Sequence, residues 1–248
     1  MSQQVRIAVF RPDDERITAA VDLLDSLGAT PIPDPMLAVE PTGASPASDA
    51  DYTIFTSKTG IELAAEAGWV PTETTLVSIG PGTTAAAEAV GWTVDREPKT
   101  YSSTGLVDLL ADEVADKRVE VARSDHGSQE LLDGLDAADA DWAETVLYKL
   151  VRPPESGRSA ELAADGELEA AAFTSSLTVE HFLAAAEERG IREAALAGLD
   201  EAIVGTIGEP TRETAADRGI DVDIVPEDAT FEALATEVVE AAAPSYSE

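Results

Sequence analysis

The sequence contains a long internal repeat, which restricts the possible folds more than any other feature. The segment Ile79–Pro98 recurs as Ile207–Pro226, with eight identical residues at a constant offset of 128 positions. Each copy begins Ile-Gly-x-x-Thr and continues Gly-x-x-Val-Asp-x-x-Pro, and Ser102–Leu106 resembles Ala229–Ala233 more loosely. Identities at a single offset indicate duplicated structural units, and an offset of this length corresponds to whole domains. We therefore predict two similar domains.

Two shorter correspondences define the order of the repeated parts. Phe55-Thr56-Ser57 recurs as Phe173-Thr174-Ser175 at an offset of 118, so the second copy contains ten extra residues near Ile191–Asp200. Arg11 and Arg123, which are 112 positions apart, each follow an apolar strand. The first arginine precedes its Phe-Thr-Ser unit and the second follows it. One domain is therefore predicted to be continuous in sequence and the other to be split.

Short β-branched runs alternate with alanine-rich segments of helical period, a pattern typical of doubly wound α/β domains with parallel sheets. The predicted strands are Val5–Phe10, Tyr52–Thr56, Thr75–Ile79, Trp92–Asp95, Arg118–Ala122, Glu144–Leu150, Glu169–Thr174, Glu201–Thr206 and Asp221–Val225. The clearest helices are Asp13–Leu27, Ile61–Ala67, Thr83–Val90, Gly105–Ala115, Val179–Arg189, Thr211–Arg218 and Phe231–Ala242. The proline-rich Pro31–Pro46 and the region Tyr148–Gly157 are predicted to connect the domains.

The chain is strongly acidic, with 49 Asp and Glu against 16 Lys and Arg and a formal net charge of −33. Such a surface repels nucleic acid, so nucleic-acid binding is excluded. The acidic residues are spread along the chain, whereas recognition of a basic partner would predict acidic blocks. Because 1 M salt shortens the Debye length to about 3 Å and screens the self-repulsion, we interpret the charge as adaptation to a halophilic habitat.

Residue types that are missing exclude further classes of protein. There is no cysteine, which removes disulfides and thiolate chemistry, and the two histidines are too few for a histidine-based metal site. No apolar run approaches the roughly 20 residues of a membrane span, and the N-terminus lacks a signal-peptide core. We expect a cytoplasmic monomer that needs no metal or organic cofactor and binds no membrane.

Small polar residues lie where predicted strands end and helices begin, at Thr56–Ser57, Gly80–Thr83, Thr174–Ser176 and Gly208–Thr211. In open parallel sheets, ligands bind at this carboxyl end, where the next helix presents free N–H groups. A helix N-terminus favours an anion by about 0.3–1 kcal/mol per charge. A single turn of this kind is explained as well by helix capping. The recurrence of both turns favours a site for a polyanion, and neither half contains a dinucleotide or P-loop motif.

Basic residues are informative in so acidic a chain. Arg11 and Arg123 follow strands, and an arginine-bound carboxylate gains about 1.5–3 kcal/mol per hydrogen bond. Lys58, Lys149, Arg152 and Arg212 also lie beside the turns or the second connector, although local salt bridges would explain each of them equally well. Tyr148 stands at the entrance to that connector, where its phenol could donate a proton to a leaving hydroxyl or simply pack as an amphipathic side chain.

The succession of these elements resembles the uroporphyrinogen-III synthase family, from Arg11 to about Ala242. The resemblance is carried by Arg11-Pro12, Phe55-Thr56-Ser57, Ile79-Gly80-x-x-Thr83, Gly91-x-x-Val94, Ser102-Ser103, Val121-Ala122-Arg123, Val146-Leu147-Tyr148, Phe173-Thr174-Ser175, Ile207-Gly208-x-x-Thr211 and Ala229-Thr230. It implies two flavodoxin-like domains joined by a two-stranded β-ladder. Domain 1 would be residues 1–33 with 158–244, domain 2 residues 48–143, and the ladder residues 34–47 and 144–157.

The resemblance also implies a substrate and a reaction. The substrate would be hydroxymethylbilane, a linear tetrapyrrole with eight carboxylates, cyclised with inversion of the last ring and loss of water. Tyr148 matches the family's cleft tyrosine, and Ser175 and Thr211 match its cleft hydroxyls. Thr83, Ser102 and Ser103 match residues of the opposite wall. Some relatives have a lysine before the last Ile-Gly turn, but Asp200-Glu201 stands there, so no lysine role is carried over.

Two other interpretations stay open at this point. The chain could be a non-catalytic two-domain binding protein with a hinged cleft, which would bind a small molecule without turnover. It could also be a regulatory protein that has kept the fold and lost the activity.

Overall fold

The structure, a computed structural model, describes residues 5–243. This part of the chain divides into two compact units. Unit 1 combines the chain up to Ala38 with the chain from Val151 onward, and unit 2 is Val39–Leu150. Unit 1 is thus built from two separate stretches of sequence and unit 2 from one.

In chain order the elements are β1 (Arg6–Phe10), α1 (Glu15–Ser26), β2 (Thr30–Pro33), β3 (Ala38–Pro41), β4 (Tyr52–Phe55), α2 (Lys58–Glu66), β5 (Thr75–Ser78), α3 (Pro81–Ala89), α4 (Ser103–Leu110), β6 (Arg118–Ser124), α5 (Gln129–Ala137), β7 (Asp141–Val151), α6 (Arg158–Ala164), β8 (Ala170–Phe173), α7 (Ser176–Glu188), α8 (Arg192–Asp200), β9 (Ile203–Thr206), α9 (Glu209–Asp217) and α10 (Phe231–Ala242).

The two sheets share one topology and one register. The strand order is β2-β1-β8-β9 in unit 1 and β3-β7-β6-β4-β5 in unit 2. The pairs within β2-β1-β8-β9 and within β7-β6-β4-β5 are parallel. Ile7 lies opposite Ala170 in unit 1, and the repeat-related Val119 lies opposite Tyr52 in unit 2. The duplication predicted from sequence is therefore present in the strand pairing itself.

Each sheet is covered by helices on both faces, which confirms the doubly wound α/β prediction. In unit 1, Phe10, Phe173 and Phe182 pack on one face, with the first two rings stacked at 4.5 Å. Ile7 and Leu24 belong to the cluster on the other face. Strands buried on both sides must be apolar throughout, and the short run Ala170–Phe173 satisfies this with four buried residues.

The aspartate of each long repeat completes an edge of its sheet. The Asp95 carboxylate accepts the N–H of Leu76 at 2.8 Å, and the Asp223 carboxylate accepts the N–H of Val204 at 2.8 Å. The strands predicted at Trp92–Asp95 and Asp221–Val225 are wrong. Only isolated bridges form there, at Arg96 just after the first segment and at Ile224 within the second. The reason is that an aspartate side chain, rather than the backbone, accepts the neighbouring edge N–H.

The looser match between the repeats shifts by one residue in the structure. Ser102 caps α4 by accepting the N–H of Gly105, and Thr230 caps α10 by accepting the N–H of Ala233. Ser102 is thus the counterpart of Thr230, at the same offset of 128 as the rest of the repeat. The ten extra residues of the second copy form α8, where Gly198 lies against the Ala163 carbonyl and leaves no room for a Cβ.

Two strands lie in the stretch predicted to be a connector. Pro31 and Pro33 lie in β2, which tolerates them because it is the edge strand of its sheet. Strand β3 pairs with β7, and the Thr42 N–H donates to the Leu147 carbonyl at 3.0 Å. The domain boundaries and the ladder expected from the resemblance stay predictions. Across residues 5–243, no helix has the length and apolar character needed to cross a membrane.

Asp34 is a buried carboxylate that holds the start of α6. It is 3% exposed and accepts the N–H groups of Gly157 and Ser159 and the Ser159 hydroxyl. Because Asp34→Ala leaves three buried donors without an acceptor, we expect the free energy of unfolding to fall by about 2–4 kcal/mol. Denaturant titration in multimolar KCl measures this. The exposed Asp13→Ala is the control, and equal effects of the two variants would contradict the capping role.

Candidate functional site

Tyr148 and Ser57, both predicted site residues, are hydrogen-bonded to each other within unit 2. The Tyr148 phenol donates to the Ser57 hydroxyl at 3.0 Å, and Ser57 also accepts the Gly60 N–H as the N-cap of α2. A bulge in β7 sets this geometry, since Arg123 pairs with Val146 but Ser124 pairs with Tyr148. The extra residue, Leu147, lets two consecutive side chains join the same core cluster. Tyr148 is 7% exposed, so its ring is held by packing in this cluster.

The Gly80–Thr83 turn forms the floor of a shallow cavity of about 290 Å³ in unit 2. Gly80 caps α3, and the N–H of Thr83 donates back to the Gly80 carbonyl at 3.0 Å. The Thr83 side chain is 5% exposed, so the turn offers mainly backbone to a ligand. Lys58 and Tyr101 complete the lining.

Four of the five helices that begin at predicted site residues share an unusual property. In each of α2, α3, α4 and α7, the first turn contains no acidic residue, whereas α1, α5, α6, α8, α9 and α10 each have one there. Acidic residues are favoured at helix N-termini and abound in this chain, so their absence is a distinct feature. These four termini include the predicted residues Ser57, Gly80, Ser102, Ser103 and Ser175, and Thr56 directly precedes the N-cap Ser57.

The turns of unit 1 are more fully occupied by internal contacts. The Thr174 hydroxyl donates to the Phe10 carbonyl at 2.6 Å, and Ser175 forms a capping box with Thr178. Ser176 donates to the Pro210 carbonyl at 3.2 Å and so links α7 to α9.

The second turn of unit 1 differs from its counterpart in unit 2. Gly208 caps α9, and the side chain of Thr211 is 4% exposed. Glu209 in the first turn forms an ion pair with Arg212. This turn therefore combines the predicted backbone geometry with a negative charge that the Gly80 turn lacks.

The repeat-related arginines have different environments. Arg123 is buried, donating from Nε to Glu144 at 2.6 Å and from Nη1 to the Ser128 carbonyl at 2.5 Å. Arg11 lies over the Phe231 ring at 5.0 Å from its centroid, and its buried Nε has no hydrogen-bond partner among residues 5–243. Glu144 pairs with Val121, and the repeat-related Val9 pairs with Pro33. Pro33 therefore occupies the position equivalent to Glu144, which explains why Arg11 lacks the matching acid.

The charge of Arg11 is retained despite its burial. Burial lowers the pKa of the Arg11 guanidinium and Arg16 lowers it further, while Asp14 raises it. An arginine nevertheless stays protonated in proteins. Arg11 is thus a partly buried cation with unused hydrogen-bonding capacity at the carboxyl end of β1.

The remaining predicted groups divide into paired and unpaired residues. Arg152 pairs with Glu188, and Arg212 pairs with Glu209, so local ion pairs explain both. Lys58 has no ion-pair partner in the described part of the chain. Tyr101 was missed by the sequence reasoning, although an aromatic residue directly before the N-cap Ser102 was a usable signal. Over residues 5–243, no group of three or more His, Asp or Glu side chains is arranged to hold a metal ion.

Fold and site together define a two-unit, doubly wound α/β protein whose polar turns lie at the carboxyl ends of parallel strands. A model of the family described as "Uroporphyrinogen-III synthase HemD" matches residues 18–236. The chain belongs to the uroporphyrinogen-III synthase family.

Individual relatives agree with this assignment. The chain is 30% identical over 230 residues to a candidate uroporphyrinogen-III synthase of Methanothermobacter thermautotrophicus, covering 86% of this chain and 90% of the relative. It is 27% identical over 186 residues to one of Archaeoglobus fulgidus, covering 74% and 76%.

Solved structures show the same fold. A mutant uroporphyrinogen III synthase from Thermus thermophilus matches with a TM-score of 0.66 at 19% identity, covering 96% of this chain and 98% of that one. The Helicobacter pylori enzyme matches with a TM-score of 0.62 at 13% identity, covering 96% and 99%.

The two arginines should respond differently to the same substitution. Arg123→Met removes a buried guanidinium and leaves the Ser128 carbonyl and the partly buried Glu144 without their donor, so we expect the free energy of unfolding to fall by about 2–3 kcal/mol. Arg11→Met removes only the contact with Phe231, for which we expect a loss below about 1 kcal/mol. Denaturant titration of both variants compares these values, and a larger loss for Arg11→Met would show that Arg11 is a structural residue.

Proposed function

We propose that the protein is a uroporphyrinogen-III synthase that cyclises hydroxymethylbilane to uroporphyrinogen III, inverting the last ring and releasing water. Membership of the family supports the reaction class. The observation that carries the substrate proposal is the absence of acid from the first turns of α2, α3, α4 and α7 in a chain with a net charge of −33. A substrate with eight carboxylates requires such positions, because an acidic side chain beside a bound carboxylate would repel it.

The proposed contacts are mostly to backbone. In α2, α4 and α7 the N-cap serine accepts the N–H of the third helical residue, at Gly60, Gly105 and Thr178. The N–H groups before it have no partner inside the helix and can donate to a carboxylate. We propose the same use of the first turn of α3, after Gly80. The Gly208 turn is not among the proposed contacts, because Glu209 in the first turn of α9 would repel a carboxylate. Arg11 supplies a charged contact in unit 1.

Arg123 and Thr174 have a more indirect role in this proposal. Their hydrogen bonds to Glu144, Ser128 and Phe10 hold the strand ends and loops from which the binding turns project. They position the backbone, and direct contact with substrate is assigned to their neighbours. The side chains of Thr83 and Thr211, which are almost fully buried, act in the same way.

Tyr148 is the proposed proton donor. Its phenol would turn from Ser57 toward the terminal hydroxyl of hydroxymethylbilane and protonate it, so that water leaves and an electrophilic azafulvene remains. The substituted carbon of the last pyrrole attacks the methylene carbon that has lost the hydroxyl. The resulting spiro intermediate rearranges to give the inverted ring. The proton released when the last pyrrole regains aromaticity restores the phenol, so the net change is the loss of one water.

Positioning contributes more to this reaction than acid catalysis. Unassisted closure would give the uninverted isomer, so the enzyme must hold the two chain ends in one geometry. Such positioning can lower a barrier by about 7–11 kcal/mol. General acid catalysis by one side chain accelerates a step by about 10²–10⁴-fold, or roughly 3–5 kcal/mol.

Removing the phenol hydroxyl tests the chemical role of Tyr148. We expect Tyr148→Phe to lower kcat by at least about 100-fold, because the proton donor is lost while the ring packing is kept. The assay uses freshly made hydroxymethylbilane in multimolar KCl and resolves the product isomers. Tyr52→Phe, which removes a hydroxyl bound to Glu113 at the start of β4, is the matched control and should keep full activity.

The wild-type assay also separates the competing interpretations. Formation of isomer III above the uncatalysed background supports the synthase, whereas saturable binding without turnover favours a binding or regulatory protein. Full activity of Tyr148→Phe would remove the proton-donor role and leave the synthase proposal intact.

Adding an acid to one of the acid-free turns should have opposite effects on folding and binding. Gly82 is exposed in the first turn of α3, and an added Cβ would meet nothing within 4 Å. Gly82→Glu should raise stability by about 1 kcal/mol through helix propensity and the helix dipole. It should also raise KM about threefold to tenfold, since like charges about 4 Å apart repel by about 1 kcal/mol even in water.

The control for this variant is Gln129→Glu, which adds the same charge to the first turn of α5, where Glu130 already stands. Denaturant titration gives the stability, and steady-state kinetics give KM. If Gly82→Glu left KM unchanged relative to Gln129→Glu, the α3 turn would not be part of the carboxylate site.

A further inference from the structure

Tyr101 is exposed beside the Gly80 turn. It is 60% exposed, and among the exposed large hydrophobic residues of the described chain it is the one with an aromatic ring. Aromatic residues make up only 5% of the sequence. A water-exposed ring at the rim of a cavity is a surface on which a planar ligand can stack.

Gly80 leaves the space that the Tyr101 side chain occupies. A Cβ on Gly80 would lie 3.1 Å from Cγ and Cδ1 of Tyr101. The φ of Gly80 is 170°, an extended value open to any residue, so the glycine is needed for space and not for backbone freedom. The counterpart in unit 1, Gly208, has only the Pro210 Cδ at 4.0 Å, and the position equivalent to Tyr101 is Ala229. The packed tyrosine is thus specific to unit 2.

Lys58 adds a positive charge to the same cavity. It is exposed and stands at the first position of α2, where a cation is unfavourable because it faces the positive end of the helix dipole. No acidic side chain of the described residues pairs with it. Its counterpart in unit 1 is Ser176, so the charge, like the tyrosine, occurs in one copy only. A ligand carboxylate would offset the unfavourable placement.

We propose that the cavity lined by Lys58, Ile79, Pro81 and Tyr101 is a subsite for one pyrrole ring and its acid side chain. The ring stacks on Tyr101, and the carboxylate pairs with Lys58. A volume of about 290 Å³ is small for a whole drug-sized ligand and suits a single substituted ring. This inference rests on the proposed function, because the ring and its acid are those of the tetrapyrrole substrate.

Substitutions at the two residues test the subsite. Tyr101→Ala should raise KM for hydroxymethylbilane about fivefold to twentyfold with kcat changed less than twofold, and Tyr101→Phe should keep the wild-type KM because the ring remains. Lys58→Gln should raise KM about threefold to tenfold. Lys117→Gln is its matched control, because it removes the same charge from an exposed residue of unit 2 just before β6, at the amino end of the sheet.

Equal KM values for wild type and Tyr101→Ala, or equal effects of Lys58→Gln and Lys117→Gln, would overturn the subsite. Equilibrium binding of uroporphyrin III, an octacarboxylate, to the same variants keeps the test independent of turnover. If the wild type fails to cyclise hydroxymethylbilane, the proposed function fails, whereas binding that weakens in Tyr101→Ala and Lys58→Gln still supports the subsite. Binding that is the same in all variants removes it.

Discussion

Parallel strand pairing is the constraint on which the candidate site depends. In a parallel sheet all carboxyl ends lie on one edge, so each strand delivers its following turn to the same side. Unit 1 and unit 2 repeat this arrangement in the same register. For example, Ile7 lies opposite Ala170 in unit 1, and the equivalent Val119 lies opposite Tyr52 in unit 2. The Ser57 and Gly80 turns of unit 2 therefore lie along one edge, and so do the Ser175 and Gly208 turns of unit 1. The strand pairing alone brings these turns together, without a long-range network of side chains. Ser102 lies near the Gly80 turn because its neighbour Tyr101 packs beside Gly80.

The distribution of charge then distinguishes turns that only cap helices from turns suited to binding an anion. A chain with 49 acidic residues places one in the first turn of most helices, where it stabilises the helix end. Leaving α2, α3, α4 and α7 without one forgoes that stabilisation, and these are helices whose starts follow candidate turns. The two units have also diverged. Arg123 is satisfied by Glu144, whereas Arg11 has an unused buried Nε, and Tyr101 with Lys58 occurs only in unit 2.

Much of this could be predicted from sequence because the repeat carried long-range information. Identities at offsets of 128 and 118 placed Gly80 with Gly208 and Ser57 with Ser175, and the structure gives each pair the same capping role. The strands predicted at Trp92–Asp95 and Asp221–Val225 were wrong because an aspartate side chain replaced a backbone partner, which apolar patterning does not reveal. Strand β2 was not predicted, because its prolines are typical of a connector and are tolerated in a strand only at the edge of a sheet.

The pairing of Tyr148 with Ser57 depends on a bulge and could not have been read from spacing. The buried ion pair of Arg123 also could not be predicted. The sequence shows an arginine after a strand in both copies but does not show which of the two pairs with an acidic side chain.

Amide hydrogen exchange with and without uroporphyrin III, an octacarboxylate, in multimolar KCl tests the central claim most directly. We expect slower exchange of the N–H groups in the first turns of α2, α3, α4 and α7, near residues 58–60, 82–84, 103–105 and 176–178. The first turns of α5 and α8, which contain Glu130 and Glu193 and lie outside the candidate turns, should exchange as before. Protection confined to those other helices, or no protection of the acid-free turns at saturating ligand, would contradict the account.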